Sequence, residues 1–511
     1  MLPLPLCAAP AQDHSLAQPD ANRVLLMSNS ALTLKLLLAV VLLSAGCRSW
    51  TPQYDTSTDV RGPAECIDQA KQFREAVRQA AVVNAQTQAL PDLPFLHINR
   101  FLAALAKDIR NGEQQRHWVG LLAALGEETR VSENANLAQP WSTAALTQLA
   151  DCASAFANSP SHTGARVELV AAVRANSPVK DAYIDAYRWL GLYALMRPVY
   201  DIQIRRLHAA ERAAFGDGRS PATSRSFEPA TRRPALSPAT VARWLTTAKA
   251  ADPLGLPKPS DTQLQRLFAR HAPRLVVDYG DTNDAIATPF WQAGELGFDT
   301  ARPAVYTLVS HTRIGGQNLL QLNYVFWFSE RKPTTFPVFY AGQVDGLTWR
   351  VTLDHDGEVL LYDSIHNCGC YHKMFRVSDR LQLRKDPLSK EPKTIYDLTD
   401  LDPDLPATVH LQSNTHFIVG LDNVATIKPQ GYALAPYQAL TMLPSKGATR
   451  SLFDASGLVP GSQRLERYTL WPTGVEDVGA MRQWGTHAIG FIDRQHFDDP
   501  QLLANYFHRR R

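Results

Sequence analysis

Two histidines and two cysteines alternate near the centre of the chain, as His366, Cys368, Cys370 and His372. Imidazole and thiolate are both good ligands for zinc. On an extended strand, residues at every second position project from the same face, so all of these side chains are expected to be co-facial. They would span about 20 Å at 3.3 Å per residue, so a single ion could bind all of them only if the strand bends. Gly369 is the residue that permits such a bend.

Three interpretations of this segment are open at the level of sequence. In the first, two or three of these side chains bind zinc or a similar ion together with His311 or His416 from other strands. In the second, Cys368 and Cys370 form a small disulfide that is structural or redox-active. In the third, the cysteines pair or pack individually and the histidines hydrogen-bond to backbone groups. Zinc is the expected cofactor only under the first interpretation.

A second polar cluster, Ser310 to Arg313, precedes the flexible pair Gly315-Gly316. At the end of a strand, His311 and Arg313 could orient an anionic or carbonyl group. In a zinc-dependent hydrolase, the metal would polarise a bound water and Arg313 would be the catalytic residue that stabilises developing negative charge. No residue stands out as the general base, so hydrolysis is one hypothesis among others.

These residues fall in a part of the chain with the composition of a β-rich domain. Runs of β-branched and aromatic residues are bounded there by Gly, Pro and Asp, which is typical of strands. His355-Asp356-Gly357 predicts a turn and a hairpin from Leu347 to Ser364. Since no helical pattern intervenes, we expect an antiparallel sandwich or open barrel. The expected strands are Leu275 to Tyr279, Ala304 to Ser310, Leu319 to Phe328, Val338 to Tyr340, Leu347 to Leu353, Val359 to Ser364, Thr408 to Gln412 and Phe417 to Leu421.

The preceding region has a different pattern, rich in alanine, with apolar residues at three- and four-residue spacing. Ala70, Phe73 and Val77 illustrate one such helical face. The pattern predicts an irregular α-helical bundle. We expect three tryptophans to be its buried anchors, namely Trp118, Trp141 and Trp189.

The fold class predicted for the whole chain is α+β, an irregular α-helical bundle followed by an antiparallel β-sandwich-like domain. Composition changes suggest the boundaries of its parts. They are residues 1–46 as N-terminal extension and signal peptide, 47–65 as tether, 66–215 as α-helical domain, 216–260 as a Pro/Ser/Arg-rich linker with a short helix, and 261–511 as β-rich domain.

The N-terminal region predicts an export signal. Lys35 precedes the apolar run Leu36 to Leu43, which has the length of a secretory signal core and is short for a membrane span. Leu43 to Cys47 resembles the lipobox of bacterial lipoproteins, and the resemblance implies that Cys47 is lipidated and becomes the first mature residue. Arg48 is not the aspartate that resembles an inner-membrane retention signal, so an outer-membrane anchor facing the periplasm is expected.

Three further features of the sequence concern the translation start, the cysteines and the charge of the chain. Either Met1 or Met27 fits as the translation start, and Met27 gives the signal a normal length. In an oxidising compartment, Cys66 and Cys152 are expected to form a disulfide, because both belong to the helical region. The 52 basic and 49 acidic residues nearly balance, and a nucleic-acid partner is therefore not expected.

Part of the β-rich region resembles a known family. The order of Asp345 to Leu353, Asp356-Gly357, Tyr362 to His366 and Val409 to His416 is similar to β-sandwich proteins related to the vacuolar sorting protein Vps62 and, more distantly, to necrosis-inducing toxin-like proteins. The resemblance implies a sandwich rather than a barrel. The acidic motif of those families is represented here only by Leu347-Thr348-Trp349, so their metal-carboxylate chemistry does not carry over.

Together these patterns predict a membrane-anchored envelope lipoprotein whose β-rich domain carries a His/Cys metal site, with hydrolysis as its hypothetical activity. The alternative is a non-catalytic periplasmic binding or envelope-assembly lipoprotein in which the Cys368 and Cys370 pair is structural. The membrane is the one partner that the sequence indicates, through the lipid anchor. Neither the substrate nor a protein or small-molecule partner follows from the sequence.

Overall fold

The computed structural model describes residues 64–216, 224–333, 339–426 and 428–510. The predicted signal peptide, the lipobox with Cys47 and nearly all of the tether lie outside the described residues. Among the residues that are described, no helix is both long and apolar enough to cross a membrane.

The N-terminal part is helical, as the spacing of apolar residues predicted. Three of its helices begin at the polar caps Asn99, Asn111 and Ser142, and the Asn111 side chain, for example, accepts a hydrogen bond from the Gln114 N–H. Phe73, Trp118 and Phe156 are buried in their common core. The helices are α1 (Ala64–Gln79), α2 (Arg100–Leu105), α3 (Gly112–Ala135), α4 (Thr143–Asn158), α5 (Thr163–Ala175), α6 (Asp185–Leu190) and α7 (Tyr193–Ala214).

One of the tryptophans expected in this core lies outside it. Trp118 is buried, and Trp141 packs edge-on against Phe73 with ring centroids 5.1 Å apart. Trp189, in contrast, is 81% exposed at the end of α6. The prediction for Trp189 was therefore wrong, because its helix packs through other residues and leaves the indole in solvent.

The C-terminal part is built around an 11-stranded sheet. The strands of the chain are β1 (Gln88–Ala89), β2 (His97–Ile98), β3 (Ser224–Pro229), β4 (Arg274–Asp278), β5 (Thr288–Gln292), β6 (Glu295–Asp299), β7 (Ala304–Ile314), β8 (Gln317–Arg331), β9 (Gly342–Leu353), β10 (Val359–His366), β11 (Lys373–Arg376), β12 (Leu381–Leu383), β13 (Thr394–Asp397), β14 (Thr408–Leu411), β15 (Ile418–Asp422), β16 (Gln430–Pro436), β17 (Leu443–Ser445), β18 (Ala448–Arg450) and β19 (Phe507–Arg509). Their order in the large sheet is β13-β11-β10-β9-β8-β7-β16-β3-β4-β14-β15. Short pairs β1-β2, β5-β6, β12-β19 and β17-β18 accompany it.

The chain is of mixed α+β class, but its sheet is mixed rather than antiparallel. Strands β7 to β11 form an antiparallel meander, whereas β13 pairs parallel with β11, β16 pairs parallel with both β7 and β3, and β14 pairs parallel with β4. The parallel pairs join strands that are far apart in sequence. Alternation within one strand carries no information on such pairings, so the expectation of an antiparallel domain missed them.

Both faces of the sheet are covered, and β8 shows this most clearly. Its even-numbered residues, such as Leu322 and Tyr324, enter one core together with side chains of the helices α8 (Pro238–Ala251) and α9 (Asp261–His271). Its odd-numbered residues, such as Val325 and Trp327, enter a second core with the C-terminal segment, for example Phe497. A strand that is buried on both faces is expected to be largely apolar, as β8 is from Leu319 to Phe328, where the buried Gln321 and Asn323 are hydrogen-bonded.

Strand β3 lies in the segment that composition assigned to a linker. Ser224–Pro229 pairs antiparallel with β4 and parallel with β16, in the interior of the sheet. Phe227 is fully buried there. The polar residues around this strand concealed it, because one apolar side chain gives no recognisable period.

Cys66 in α1 and Cys152 in α4 form a disulfide, as predicted. They are 86 positions apart in sequence, so the bond removes much conformational freedom from the unfolded chain.

We therefore expect the double variant Cys66→Ala/Cys152→Ala to lose about 2–5 kcal/mol of unfolding free energy. Chemical denaturation monitored by tryptophan fluorescence measures the loss. A reductant should lower the stability of the wild type by a similar amount and leave the double variant unchanged. Equal stability of wild type and variant under oxidising conditions would contradict the expectation.

Candidate functional site

The predicted hairpin is present at the centre of the sheet. Strands β9 and β10 pair antiparallel, with Trp349 opposite Ser364 and Leu347 opposite His366. Gly357 takes a positive φ of 83° in the connecting turn, where a Cβ would lie 2.4 Å from the Pro238 carbonyl oxygen. The hairpin thus carries the end of β10, where the histidines and cysteines follow, into the interior of the molecule.

Strand β10 ends at His366, and the chain then reverses into β11. The His366 N–H donates to the Cys370 carbonyl at 3.0 Å, and the Gly369 N–H donates to the His366 carbonyl at 2.7 Å. Gly369 has a φ of 94°, so the bend lies at the residue that the sequence indicated. The expectation of one extended strand was wrong, because the segment from His366 to His372 is a hairpin turn and its side chains do not share one face.

His416 is held between two buried carboxylates. Its Nδ1 lies 2.8 Å from Asp345 Oδ2, its Nε2 lies 3.4 Å from Asp284 Oδ1, and its ring stacks on Phe328 at 3.9 Å. His416 has a φ of 53°, a backbone conformation that residues other than glycine rarely adopt. Contacts on both ring nitrogens and on the ring face offset the cost of this conformation.

The charges of this cluster favour an imidazolium. Burial alone would lower the pKa of His416, but hydrogen bonding to Asp284 and Asp345 outweighs burial and raises it. Burial alone would raise the pKa of Asp345, but Arg464 and the two histidines hold it well below its usual range. Arg464 Nη2 lies 3.2 Å from Asp345 Oδ1, and His366 Nδ1 lies 3.5 Å from the same oxygen.

His372 belongs to a separate buried ion cluster. Asp363 accepts hydrogen bonds from Nε and Nη2 of Arg350 at 2.8 and 2.5 Å, and it lies 3.1 Å from His372 Nε2. Burial lowers the pKa of His372 to about 4, against the opposing effect of Asp363, so its ring is neutral at physiological pH. His372 Nδ1 is buried and has no hydrogen-bond partner among the described residues.

A cleft of about 510 Å³ lies beside the turn, and both Cys370 and His372 line it. Helix α7 forms one wall. Apolar side chains make up most of the cleft surface. Helix α7 contributes Ile204 and Leu207, and other elements contribute Phe417, Leu470, Ile489 and Phe491.

Helix α7 is fixed over the cleft by polar contacts to the sheet and to the C-terminal segment. Glu211 lies 2.8 Å from Lys373 Nζ in β11 and accepts a hydrogen bond from Thr394 Oγ1 in β13 at 3.0 Å. At the other end of the helix, Tyr193 Oη donates to the Phe491 carbonyl at 2.7 Å. All of these contacts join elements distant in sequence, so the cleft wall depends on the complete fold.

Ionisable groups at the cleft have unusual environments. The Arg331 guanidinium lies 5.1 Å from the Tyr371 ring centre and 4.8 Å from that of Phe417, and its Nη1 is buried without a hydrogen-bond partner in the described part of the chain. Burial lowers the pKa of Lys393 to about 8. Burial also raises the pKa of Glu466, although Arg464 and Arg331 oppose it.

The structure brings together only some of the residues that the sequence singled out. Asp345 joins His366 to His416, and the cysteines lie in the turn that follows His366. His311 is elsewhere, stacked on Phe101 at 5.0 Å in the helical part.

Arg313 also lies outside the cleft, where its Nη2 pairs with Asp108 at 2.5 Å. Within the described ranges, no group of three or more His, Cys, Asp or Glu side chains is arranged to hold a metal ion. Zinc binding stays a prediction from the sequence.

Several residues of the site carried little sequence signal. Arg331 ends an apolar strand, and Glu466 lies in a segment without periodicity, so neither could be placed beside the cleft. Asp345 offered a better clue, because an acidic residue within an apolar strand requires a buried partner. Helix α7 offered a second clue, because apolar residues on two opposite faces indicate that the helix has a contact on each side.

The chain has no match among protein-family models, curated proteins or solved structures. Its resemblance to bacterial lipoproteins and to the Vps62-related sandwich proteins stays a prediction. The chemistry of the site must therefore be derived from its geometry. That geometry provides an apolar cleft with buried cationic nitrogens, an acid of raised pKa and a thiol.

We predict that His416 contributes more stability in acid than in base. Its pKa is raised in the folded protein, so the contribution is fully present below the unfolded value of about 6.5 and is lost as the pH rises through the folded pKa. The cost of His416→Gln in unfolding free energy should therefore be larger at pH 5.5 than at pH 9, by about 1.4 kcal/mol for each pH unit by which folding raises the pKa within that interval. Urea denaturation of both proteins at each pH measures this.

The matched control is His311→Gln. Burial lowers the pKa of His311 to about 4 in the folded protein, whereas the unfolded chain, with a pKa of about 6.5, is mostly protonated at pH 5.5. His311→Gln should therefore show the opposite trend, with a cost that is smaller at pH 5.5 than at pH 9 by about 1.4 kcal/mol. A cost of His416→Gln that is equal at the two pH values, or larger at pH 9, would show that His416 is not held as an imidazolium.

Proposed function

We infer that the protein is a lipid-anchored protein of the bacterial envelope, on the outer membrane facing the periplasm, whose cleft binds an amphipathic molecule with an anionic group. The observation that carries this proposal is the position of helix α7. One face of the helix lines the cleft, and the opposite face is apolar and exposed. The helix could therefore contact a bilayer on one side and a molecule taken from it on the other.

The cleft face of α7 supplies an apolar wall. Tyr200, Ile204 and His208 follow one another at four-residue spacing and all line the cleft. Burial lowers the pKa of His208 to about 4, so this histidine adds no charge at physiological pH. The wall favours the hydrocarbon part of a ligand.

The opposite face carries large apolar side chains that contact solvent. Successive residues of a helix are rotated by about 100°, which places Leu195, Val199 and Ile202 roughly opposite Ile204 and Met196 on the flank between the two faces. Leu195 is the most exposed large apolar side chain of α7, at 73%. The set comprises Leu192 at the helix start followed by Leu195, Met196, Val199 and Ile202, and it is called the outer stripe below.

The charge beside the outer stripe favours an anionic bilayer as its partner. Arg205, Arg206 and Arg212 are exposed on the same helix. Of its two acidic residues, Asp201 pairs with Arg205 at 2.9 Å and Glu211 is buried against Lys373. An amphipathic helix with arginines beside an apolar stripe is typical of proteins that lie in the membrane interface. The exposed Trp189 nearby suits the same environment.

The anionic group is assigned to the inner end of the cleft. Arg331 has a buried nitrogen with no hydrogen-bond partner among the described residues, and a carboxylate or phosphate oxygen would satisfy it. Lys393 lines the same cleft, and a bound anion would favour its protonated form. Binding of this kind corresponds to the non-catalytic binding lipoprotein that the sequence left open, and it requires neither a metal ion nor hydrolysis.

We predict that Arg331→Gln weakens the binding of a dansyl-labelled fatty acid about tenfold or more, because the carboxylate loses a charge-assisted hydrogen bond. Titration of dansyl fluorescence measures the dissociation constant. The methyl ester of the same probe should bind the wild type as weakly as the acid binds Arg331→Gln. Arg302→Gln makes the same chemical change at an exposed site outside the cleft and should have no effect.

Thermal unfolding of Arg331→Gln shows whether the variant is folded, since this side chain is buried. A folded variant that binds the acid as tightly as the wild type does would refute the assignment of the anionic group. Equal binding of the acid and the ester by the wild type would refute it without any substitution.

We predict separately that Leu195→Glu/Val199→Glu reduces binding to vesicles containing phosphatidylglycerol, because it places charge within the outer stripe. Sedimentation with vesicles measures the bound fraction, in a Cys47→Ala background that carries no attached lipid. Ala194→Glu adds a charge on the flank of the same helix and is the control. Equal vesicle binding by the stripe variant and its parent would contradict membrane contact through α7.

A further inference from the structure

Cys368 and Cys370 differ sharply in their access to the cleft. Cys368 is only 4% exposed and packs in the second core of the sheet. Cys370 is partly exposed and lines the cleft wall. Both are free thiols, and their side chains are hydrogen-bonded to each other.

The turn that carries them is held in place on several sides. The Arg482 N–H donates to the Asn367 carbonyl at 2.7 Å, and the Gly369 backbone lies so close to Ala488 that a Cβ would be 2.4 Å from its carbonyl oxygen. Together with the hydrogen bond between the His366 N–H and the Cys370 carbonyl, these contacts keep the two sulfur atoms adjacent. Adjacent sulfurs need little movement to form a bond.

The surroundings also suit thiol chemistry. The hydrogen bond from Cys370, aided by Arg464, lowers the pKa of the Cys368 thiol, and the same hydrogen bond together with burial raises the pKa of the Cys370 thiol well above its usual value. The first thiolate of the pair is therefore on Cys368, and Cys370 keeps its proton. The charge of Arg482 interacts with both cysteines. Positive charge beside a thiol pair is the environment in which cysteines exchange disulfides.

We propose that Cys368 and Cys370 are a redox-active dithiol that reduces a small disulfide entering the cleft, with Cys370 as the attacking sulfur and Cys368 as the resolving sulfur. Cys368 is the thiolate of the pair, and Cys370 passes its proton to this thiolate as it attacks one sulfur of the substrate. The substrate S–S bond breaks, a mixed disulfide forms at Cys370, and the first product leaves as a thiol with a proton from the pair. Cys368 then attacks the Cys370 sulfur and releases the second product, which is protonated by solvent.

The outcome is a Cys368–Cys370 disulfide and two product thiols, so two electrons pass from the pair to the substrate, with one proton from the pair and one from solvent. Exchange with two equivalents of an external thiol, which are oxidised to a disulfide, restores the pair. The proposal is independent of the anionic ligand and of membrane contact, because it requires only that Cys370 is reached through the cleft and that Cys368 is not.

Oxidised glutathione is the probe. The purified protein is first reduced without denaturant and freed of reductant. In the wild type, we expect mass spectrometry to show loss of both thiols and an internal disulfide, with little glutathione attached. Cys368→Ala should instead accumulate one glutathione on Cys370, because the resolving sulfur is missing. Cys370→Ala should react roughly tenfold or more slowly, because Cys368 is buried.

The two single variants control for each other, since each removes one thiol from the same turn, and thermal unfolding confirms that they are folded. The Cys66–Cys152 disulfide should stay intact throughout. A wild type that keeps both thiols in excess oxidised glutathione would overturn the proposal. So would equal rates for Cys368→Ala and Cys370→Ala, which would mean that the cleft does not select between the sulfurs.

Discussion

The buried carboxylate of Asp345 organises the region around the cleft. It holds three cationic or imidazole side chains that come from distant parts of the chain, namely Arg464, His366 and His416. Ionised groups in such a place are costly to desolvate, and a partner removed from the set leaves a charge uncompensated, at a cost of about 3–5 kcal/mol. His366 begins the cysteine turn, and Arg464 precedes Glu466 at the cleft. The positions of the cysteine turn and of Glu466 therefore depend on the ion pairs and hydrogen bonds of the Asp345 carboxylate.

Features determined by neighbouring residues were predictable from the sequence. The hairpin around His355-Asp356-Gly357, the bend at Gly369 and the pairing of Cys66 with Cys152 are all present. The hairpin and the bend rest on turn chemistry, and the disulfide follows from the grouping of cysteines by region. Turn residues specify a local conformation, and four cysteines allow only three pairings. Such features can therefore be predicted from a single sequence.

Features determined by distant contacts were not predictable in the same way. The parallel partners of β16 and the interior place of β3 depend on distant pairings, with Ala433 opposite Ala304 and Gln430 opposite Phe227. The candidate site has the same origin, because Arg331, Lys393 and Glu466 come from separate segments that meet only in three dimensions. Trp189 shows the converse error. An aromatic residue in a helical pattern was assigned to the core, but the second apolar face of this region lies in solvent.

Strand β16 also has a consequence for the order of assembly. It lies between β7 and β3, so it joins the meander of β7 to β11 to the group formed by β3, β4, β14 and β15. During synthesis from the N-terminus, β3 and β7 are complete long before residues 430–436 emerge, and both must wait with an open edge. Pairings of such long sequence separation form slowly and expose strands to misassembly. Until β16 closes the sheet, two strand edges of this chain are therefore open to wrong partners.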